Sequence, residues 1–206
     1  MTLRYDPVDR SILHWAASEK QPALSTGLPF LQGNPRSESL TTRGLLLCLP
    51  DLGMVVVASM YSGEVRGYDA GGQLLWHSTF ADFKPLTLRE FPGGGFAFVG
   101  RKQGTDVVNH LVVSLVRVDP NKLLVQFGLA VLGKHHFSSL TFAMVETRFL
   151  RLRDGASVGT QSDLPVVWDL NGGLALVAAG SRYPGLSCAS IDWLKADRKQ
   201  SNARSP

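Results

Sequence analysis

RGYDAGGQLLWHS, residues 66–78, restates LRYDPVDRSILHW, residues 3–15. Each reads as an extended run ending at Tyr-Asp, then a turn, then an apolar return that closes on a tryptophan. The pattern continues in SLVRVDPNKLLVQF (114–127), RFLRLRDGASV (148–158) and IDWLKADRK (191–199), with aspartates at positions 6, 69, 119, 154 and 197. In the first three copies the return ends in Trp15, Trp76 or Phe127, spaced 9, 7 and 8 residues from the aspartate; the two later copies lack a clear aromatic. An aspartate at a tight hairpin can accept backbone N–H groups across the turn. The aromatic that follows is placed to fill the gap between neighbouring sheets.

A second element precedes the aspartate hairpins. GMVVVAS, GGFAFVG and GGLALVAAG begin their apolar runs after Gly53, Gly95 and Gly173, separated by 42 and 78 residues. With HLVVSLVRVD (110–119) and LTFAMV (140–145), these short apolar runs bounded by Gly, Pro, Asp or Asn read as strands. No window of 12 or more residues carries a convincing helical stripe. Twenty-one glycines and 11 prolines point the same way, towards a β-rich chain with many turns.

A unit of about 40 residues built from about four short strands is the sequence sign of a β-propeller blade. YDAGGQLLW resembles the hairpin of pyrroloquinoline-quinone-type propeller repeats, and LVRVDPNKLLVQFG is similar to repeats of bacterial six-bladed and NHL-like propellers. The resemblance implies an all-β, propeller-like array of four-stranded antiparallel blades. About five units are recognisable, either left incomplete or closed by pairing of the chain ends. In these families the aspartate and the aromatic are structural. Residues 1–197 are expected to form one domain, with a long loop or insertion at 18–44 (SEKQPALSTGLPFLQGNPRSESLTTRG) and a disordered tail at 198–206.

Composition narrows the function classes. The net charge is only +4, and Lys and Arg are scattered apart from the tail, so no basic stripe with interleaved aromatics suggests nucleic acid. No apolar run approaches the ~20 residues that span a bilayer. MTLRYDPVDR lacks the apolar core of a secretory leader, so a soluble protein is expected, cytoplasmic if this is the full chain. Cys48 and Cys188 sit in apolar runs and read as buried thiols; the sequence leaves open whether they pair.

Blade topology would place the second-to-third strand connections and the blade crossings on one face. Tyr61, Arg101, Lys102, His135, His136, Arg182 and Tyr183 are therefore the candidate ligand-binding residues. Arg and Tyr suit anionic or polar groups, although polar loops are also simply solvated. The adjacent histidines would point opposite ways along a strand and have no third ligand at zinc spacing, so no metal is expected. PGGG (92–95) lacks the Lys and helix of a phosphate loop, and no G-x-S-x-G elbow is present.

The reading that follows is a non-enzymatic binding or scaffold module without a cofactor or catalytic residue. It would present one loop face to a protein, peptide or small polar or anionic ligand, and would form a homo-oligomer if the ring is incomplete. The alternative is a propeller-type hydrolase, lactonase or lyase with a His/carboxylate or metal site built from Asp82, Asp106, His77, His135 and His136. A quinone dehydrogenase is disfavoured by the short chain.

Overall fold

The computed structural model describes residues 1–15, 24–31, 33–99, 101–103, 106–133, 136–162, 164–171, 173–179 and 185–191. The chain is predominantly β-sheet. A first antiparallel sheet contains β1 (Thr2–Leu3), β2 (Leu13–Trp15) and β3 (Leu24–Thr26). After helix α1 (Pro35–Thr41) comes a four-stranded antiparallel meander of β4 (Gly44–Leu49), β5 (Met54–Ser59), β6 (Val65–Asp69) and β7 (Leu74–Ser78). A hairpin of β8 (Thr87–Glu90) and β9 (Phe96–Val99) follows. A five-stranded sheet then contains β10 (Arg101–Gln103), β11 (Asp106–Asp119), β12 (Lys122–Gly133), β13 (His136–Arg151) and β14 (Ser157–Ser162). The last sheet contains β15 (Val167–Asn171), β16 (Leu174–Ala179) and β17 (Gly185–Ser190).

Four of these sheets stack in chain order, and strand alternation decides which side chain enters which layer. Along β5, Val55 and Val57 pack with Ile12 and Leu13 of the first sheet. Met54, Val56 and Ala58 point the other way, onto Leu123, Val125 and Phe127 of the five-stranded sheet. All six residues of β5 are buried, which is why its sequence is a continuous apolar run rather than an alternating one. On the opposite face of β11 and β12, Val116 and Leu124 meet Val167, Ala175 and Val177 of the last sheet.

The aspartate hairpins form as the sequence leads one to expect. Oδ1 of Asp6, Asp69, Asp119 and Asp154 accepts the N–H of Val8, Gln73, Asn121 and Ala156 at 2.9, 2.8, 2.8 and 3.1 Å. Gly53, Gly95 and Gly173 also share a setting, each directly preceding the second strand of a hairpin: β5, β9 and β16. Asp197 and the tail at 198–206 lie outside the described residues.

Several expectations need correction. Strands β11, β12 and β13 are 14, 12 and 16 residues long, far beyond the short strands of a blade. Among the described residues, one sheet is a four-stranded meander and the others have three, five, three and two strands. The stretch 18–44, expected as a long loop or insertion, contains β3 and α1. Asn34 caps the helix by accepting the Ser37 N–H at 2.9 Å, and Pro35 opens it. Cys48 and Cys188 are exposed free thiols rather than buried ones. The residues directly beside Cys48, Leu47 and Leu49, pack on the core between the meander and the five-stranded sheet, and Ala189 beside Cys188 packs on the core of the last sheet. Trp76 is buried between sheets as expected, but Trp168 is exposed on the last sheet.

Candidate functional site

Three strands lie over four. The first sheet covers the β4–β5 side of the meander, where Leu3, Ile12 and Leu13 pack with Leu46, Val55 and Val57. Its edge strand β3 reaches only as far as β6 and the β6–β7 turn: the Thr26 hydroxyl donates to the Gly72 carbonyl at 3.0 Å. Among the described residues, the outer part of β6–β7 is left uncovered. A cleft of about 480 Å³ occupies that place, with Ser25 to Leu28 on one wall and Glu64, Arg66, Leu74 and His77 on the other. Leu28 and Leu74 stand exposed at its rim.

Arg66 organises the cleft. Its Nε donates to Glu64 Oε1 at 2.6 Å, and its Nη1 and Nη2 donate to the carbonyls of Leu28 and Pro29. The guanidinium also stacks 4.6 Å over the Phe30 ring. The segment after β3 is thereby tied to β6. His77 Nε2 lies 3.2 Å from the same Glu64 oxygen. Beneath it Tyr68 is buried, and burial pushes its phenol pKa up.

The turn that closes the other side of the cleft is anchored on a buried carboxylate. Glu38 of α1 accepts the Tyr5 hydroxyl at 2.6 Å, Arg10 Nε at 3.0 Å and the Gly33 N–H at 3.0 Å, and it also pairs with Arg10 Nη2. The Arg10 bonds hold its pKa down at about 2. Arg10 itself adopts the left-handed region, φ 57°, to make this reach. Next to it Asp9 accepts the Ser11 N–H at 2.9 Å, and bonding from Ser11 depresses its pKa. On the strands behind, His14 lies between the hydroxyls of Ser25 (2.9 Å) and Ser11 (3.4 Å).

Of the residues nominated from sequence, those that the structure describes belong to other elements. Tyr61 is buried in the β5–β6 connection, where its carbonyl accepts the Leu86 N–H. Arg101 and Lys102 pair with Val108 and Val107 along β10–β11, and His136 pairs with Gly133 at the β12–β13 turn; the side chains of all three lie outside the described set. By register, these two turns share one end of the five-stranded sheet. Tyr61 sits lower, at the level where the Met60 carbonyl accepts the Val112 N–H. His135, Arg182 and Tyr183 lie outside the described residues.

Of the carboxylate and histidine candidates of the enzyme reading, the side chains described are those of His77 and Asp82. His77 is in the cleft, whereas Asp82 pairs with Arg148, which also reaches Glu146 at 3.0 Å. Burial and the Asp82 charge push the Glu146 carboxyl up. Nearby, His110 forms a three-ring cluster with Phe83 and Phe127, which also touch each other, and its Nδ1 accepts the Lys84 N–H at 3.1 Å. Burial pushes its pKa down. Asp106 belongs to β11, with its side chain outside the described set, and His135 and His136 are as above. Among the described residues, no group of three His, Cys, Asp or Glu could hold a metal ion. No described helix is long and apolar enough to cross a membrane.

Sequence reasoning missed the cleft because its walls come from distant segments, residues 9–11 and 25–28 against residues of 64–77. The Asn34-Pro35 pair followed by Glu38 was a legible helix start that could have located α1. Comparison with protein-family models and with curated proteins yields no match.

Proposed function

We propose that the chain is a non-enzymatic binding module built as a propeller-like stack of sheets, and that it takes a protein segment, peptide or small polar ligand in the cleft beside β3. The observation that carries this reading is the cleft itself. It is a preformed concavity of about 480 Å³ that combines exposed apolar rim residues with fixed polar groups, the usual make-up of a recognition site. Arg66, Glu64 and Arg10 are held by bonds to the protein's own groups, so a ligand meets a rigid floor and loses little free energy to ordering it.

The test is selection of random displayed peptides on the folded chain, followed by calorimetry with variants at two places. Leu28→Asp and Leu74→Asp are expected to weaken a selected binder by tenfold or more, about 1.4 kcal/mol. Arg101→Ala and Lys102→Ala are expected to leave it unchanged. The reverse result would move the site to the loop face that carries Arg101, Lys102 and His136. Failure of the selection to return any specific binder would sink the reading.

A further inference from the structure

We infer that the occupant of the cleft is an extended peptide that pairs with the free edge of β3 and carries a basic side chain. This deepens the reading of the cleft as a binding site and rests on it.

Three observations converge. First, among the described residues the covering sheet has three strands to the meander's four. The strand order β1-β2-β3 lies against β4-β5-β6-β7, and the uncovered ground is the face of β6–β7 that holds Arg66, Leu74 and His77. A strand lies ~4.8 Å from its neighbour, so one added beside β3 would fall on that ground. Second, β3 ends its sheet, and among the described residues its far side makes no backbone bond. An unpaired edge is a template for strand addition, in which main-chain bonds give affinity and alternate side chains give selectivity. Leu28 and Leu74 at the rim are placed to meet the apolar side chains of such a peptide.

Third, the charge arrangement selects a cation. Arg66 is engaged at Nε, Nη1 and Nη2 by Glu64, Leu28 and Pro29, and Arg10 is engaged at Nε and Nη2 by Glu38. With Arg66 paired to Glu64 and Arg10 to Glu38, the charge left over in the lining is that of the Asp9 carboxylate, and Asp9 and Glu64 keep lone pairs beyond the bonds to Ser11 and Arg66. An anionic ligand would face those carboxylates, whereas a lysine or arginine would complement them.

The experiment titrates the full chain with three labelled peptides. They are a capped Val-Lys-Val-Lys-Val-Lys, the same peptide with glutamate for lysine, and the lysine peptide N-methylated at alternate residues, in both registers. Anisotropy gives affinity, and amide chemical shifts give location. The lysine peptide is expected to bind about tenfold tighter than the glutamate peptide, to shift Leu28, Glu64 and His77, and to lose binding when the N–H groups facing β3 are methylated. Glu64→Gln is expected to remove most of the preference for lysine.

If both N-methylated registers bind as well as the parent while Leu28, Glu64 and His77 still shift, the strand pairing is overturned and the cleft survives as a site. Preference for the glutamate peptide overturns the charge assignment. If no peptide shifts those residues, both this inference and the binding-module reading fail. Displacement of the lysine peptide by a peptide of residues 192–206, at higher affinity, would identify the chain's own end as the occupant and overturn an external partner.

Discussion

The indole Nε1 of Trp76 donates to the carbonyl of Leu152 at 2.7 Å, across 76 residues of sequence and between two stacked sheets. Alongside it the Ser78 hydroxyl donates to the Gly155 carbonyl. The aromatic that closes the 66–78 motif is therefore a clamp between the four-stranded meander and the β13–β14 hairpin. Trp76→Phe keeps much of the apolar contact but leaves the Leu152 carbonyl without this donor, at an expected cost of about 1–3 kcal/mol. Trp76→Ala adds a cavity, for about 3–5 kcal/mol. Urea denaturation of the two variants checks both the order and the size.

Two glycines make room for that clamp. A methyl group on Gly67 would stand 2.6 Å from Trp76 Nε1, and one on Gly155 would stand 2.5 Å from Cε3 of the same ring. Gly155 also has φ +67°, where any other residue is strained. Gly67→Ala is expected to lower stability by about 1–3 kcal/mol through overpacking. That cost should shrink in a Trp76→Leu background, where the ring is gone. A double-mutant cycle in urea measures the coupling, and strict additivity would show that the ring is not what Gly67 accommodates.

Asp69 accepts the Gln73 N–H at 2.8 Å, closing the turn between β6 and β7. Asp69→Ala should cost about 0.5–1.5 kcal/mol, while Asp69→Asn retains an acceptor and should cost less. Equal losses would mean that the charge, and not the turn bond, matters at this position.

These hairpins were legible in the sequence because their information is local: an aspartate, its turn and the strand on each side lie within a dozen residues. The same holds for β5, whose unbroken apolar run reports two buried faces. The length of β11–β13 was not legible, since the apolar runs at 110–119 and 140–145 mark only part of β11 and β13, and the polar residues beyond them do not signal a strand. Nor was the cleft. Arg66, which organises the cleft, was not among the nominated residues, because the sequence does not show that Leu28 and Pro29 present their carbonyls to it. The expectation of buried cysteines failed for a related reason. The residues flanking Cys48 on β4 alternate between core layers, and strand identity alone does not say how far the cover extends.

Glu38 makes stability depend on acid. Its pKa lies at about 2, against an ordinary 4.5, with the Arg10 bond as the largest cause. A depressed carboxyl contributes stability that is complete above its unfolded value and is lost as pH falls towards the folded one. Unfolding free energy should therefore decline as pH falls from about 4.5 towards 2, with Asp154, also held at about 2 by Arg151, adding to the same window. Glu38→Gln should be less stable at neutral pH and should flatten the decline. Urea midpoints measured at several pH values between 2 and 7 test this, and an unchanged slope in the variant would remove Glu38 as the cause.

Arg66 separates a structural role from an anion-binding one. Its guanidinium joins Glu64, Leu28 and Pro29 and lies on Phe30, so three donors and a flat face act together. Lysine preserves the charge but cannot reproduce the fork or the stacking. If Arg66 were there to attract an anion, Arg66→Lys would retain much of its effect, and sulfate or phosphate would stabilise the native chain more than chloride does at equal ionic strength. The geometry gives the opposite expectation. Arg66→Lys should cost about 1–3 kcal/mol and accelerate amide exchange at Leu28 and Phe30, and the multivalent anions should give no saturable stabilisation. Hydrogen exchange on the variant, with thermal unfolding of the unaltered chain across an anion series, decides between the two. The carbonyls of Leu28 and Pro29 then fix the rim of the cleft only because a guanidinium, and not merely a positive charge, lies beneath them.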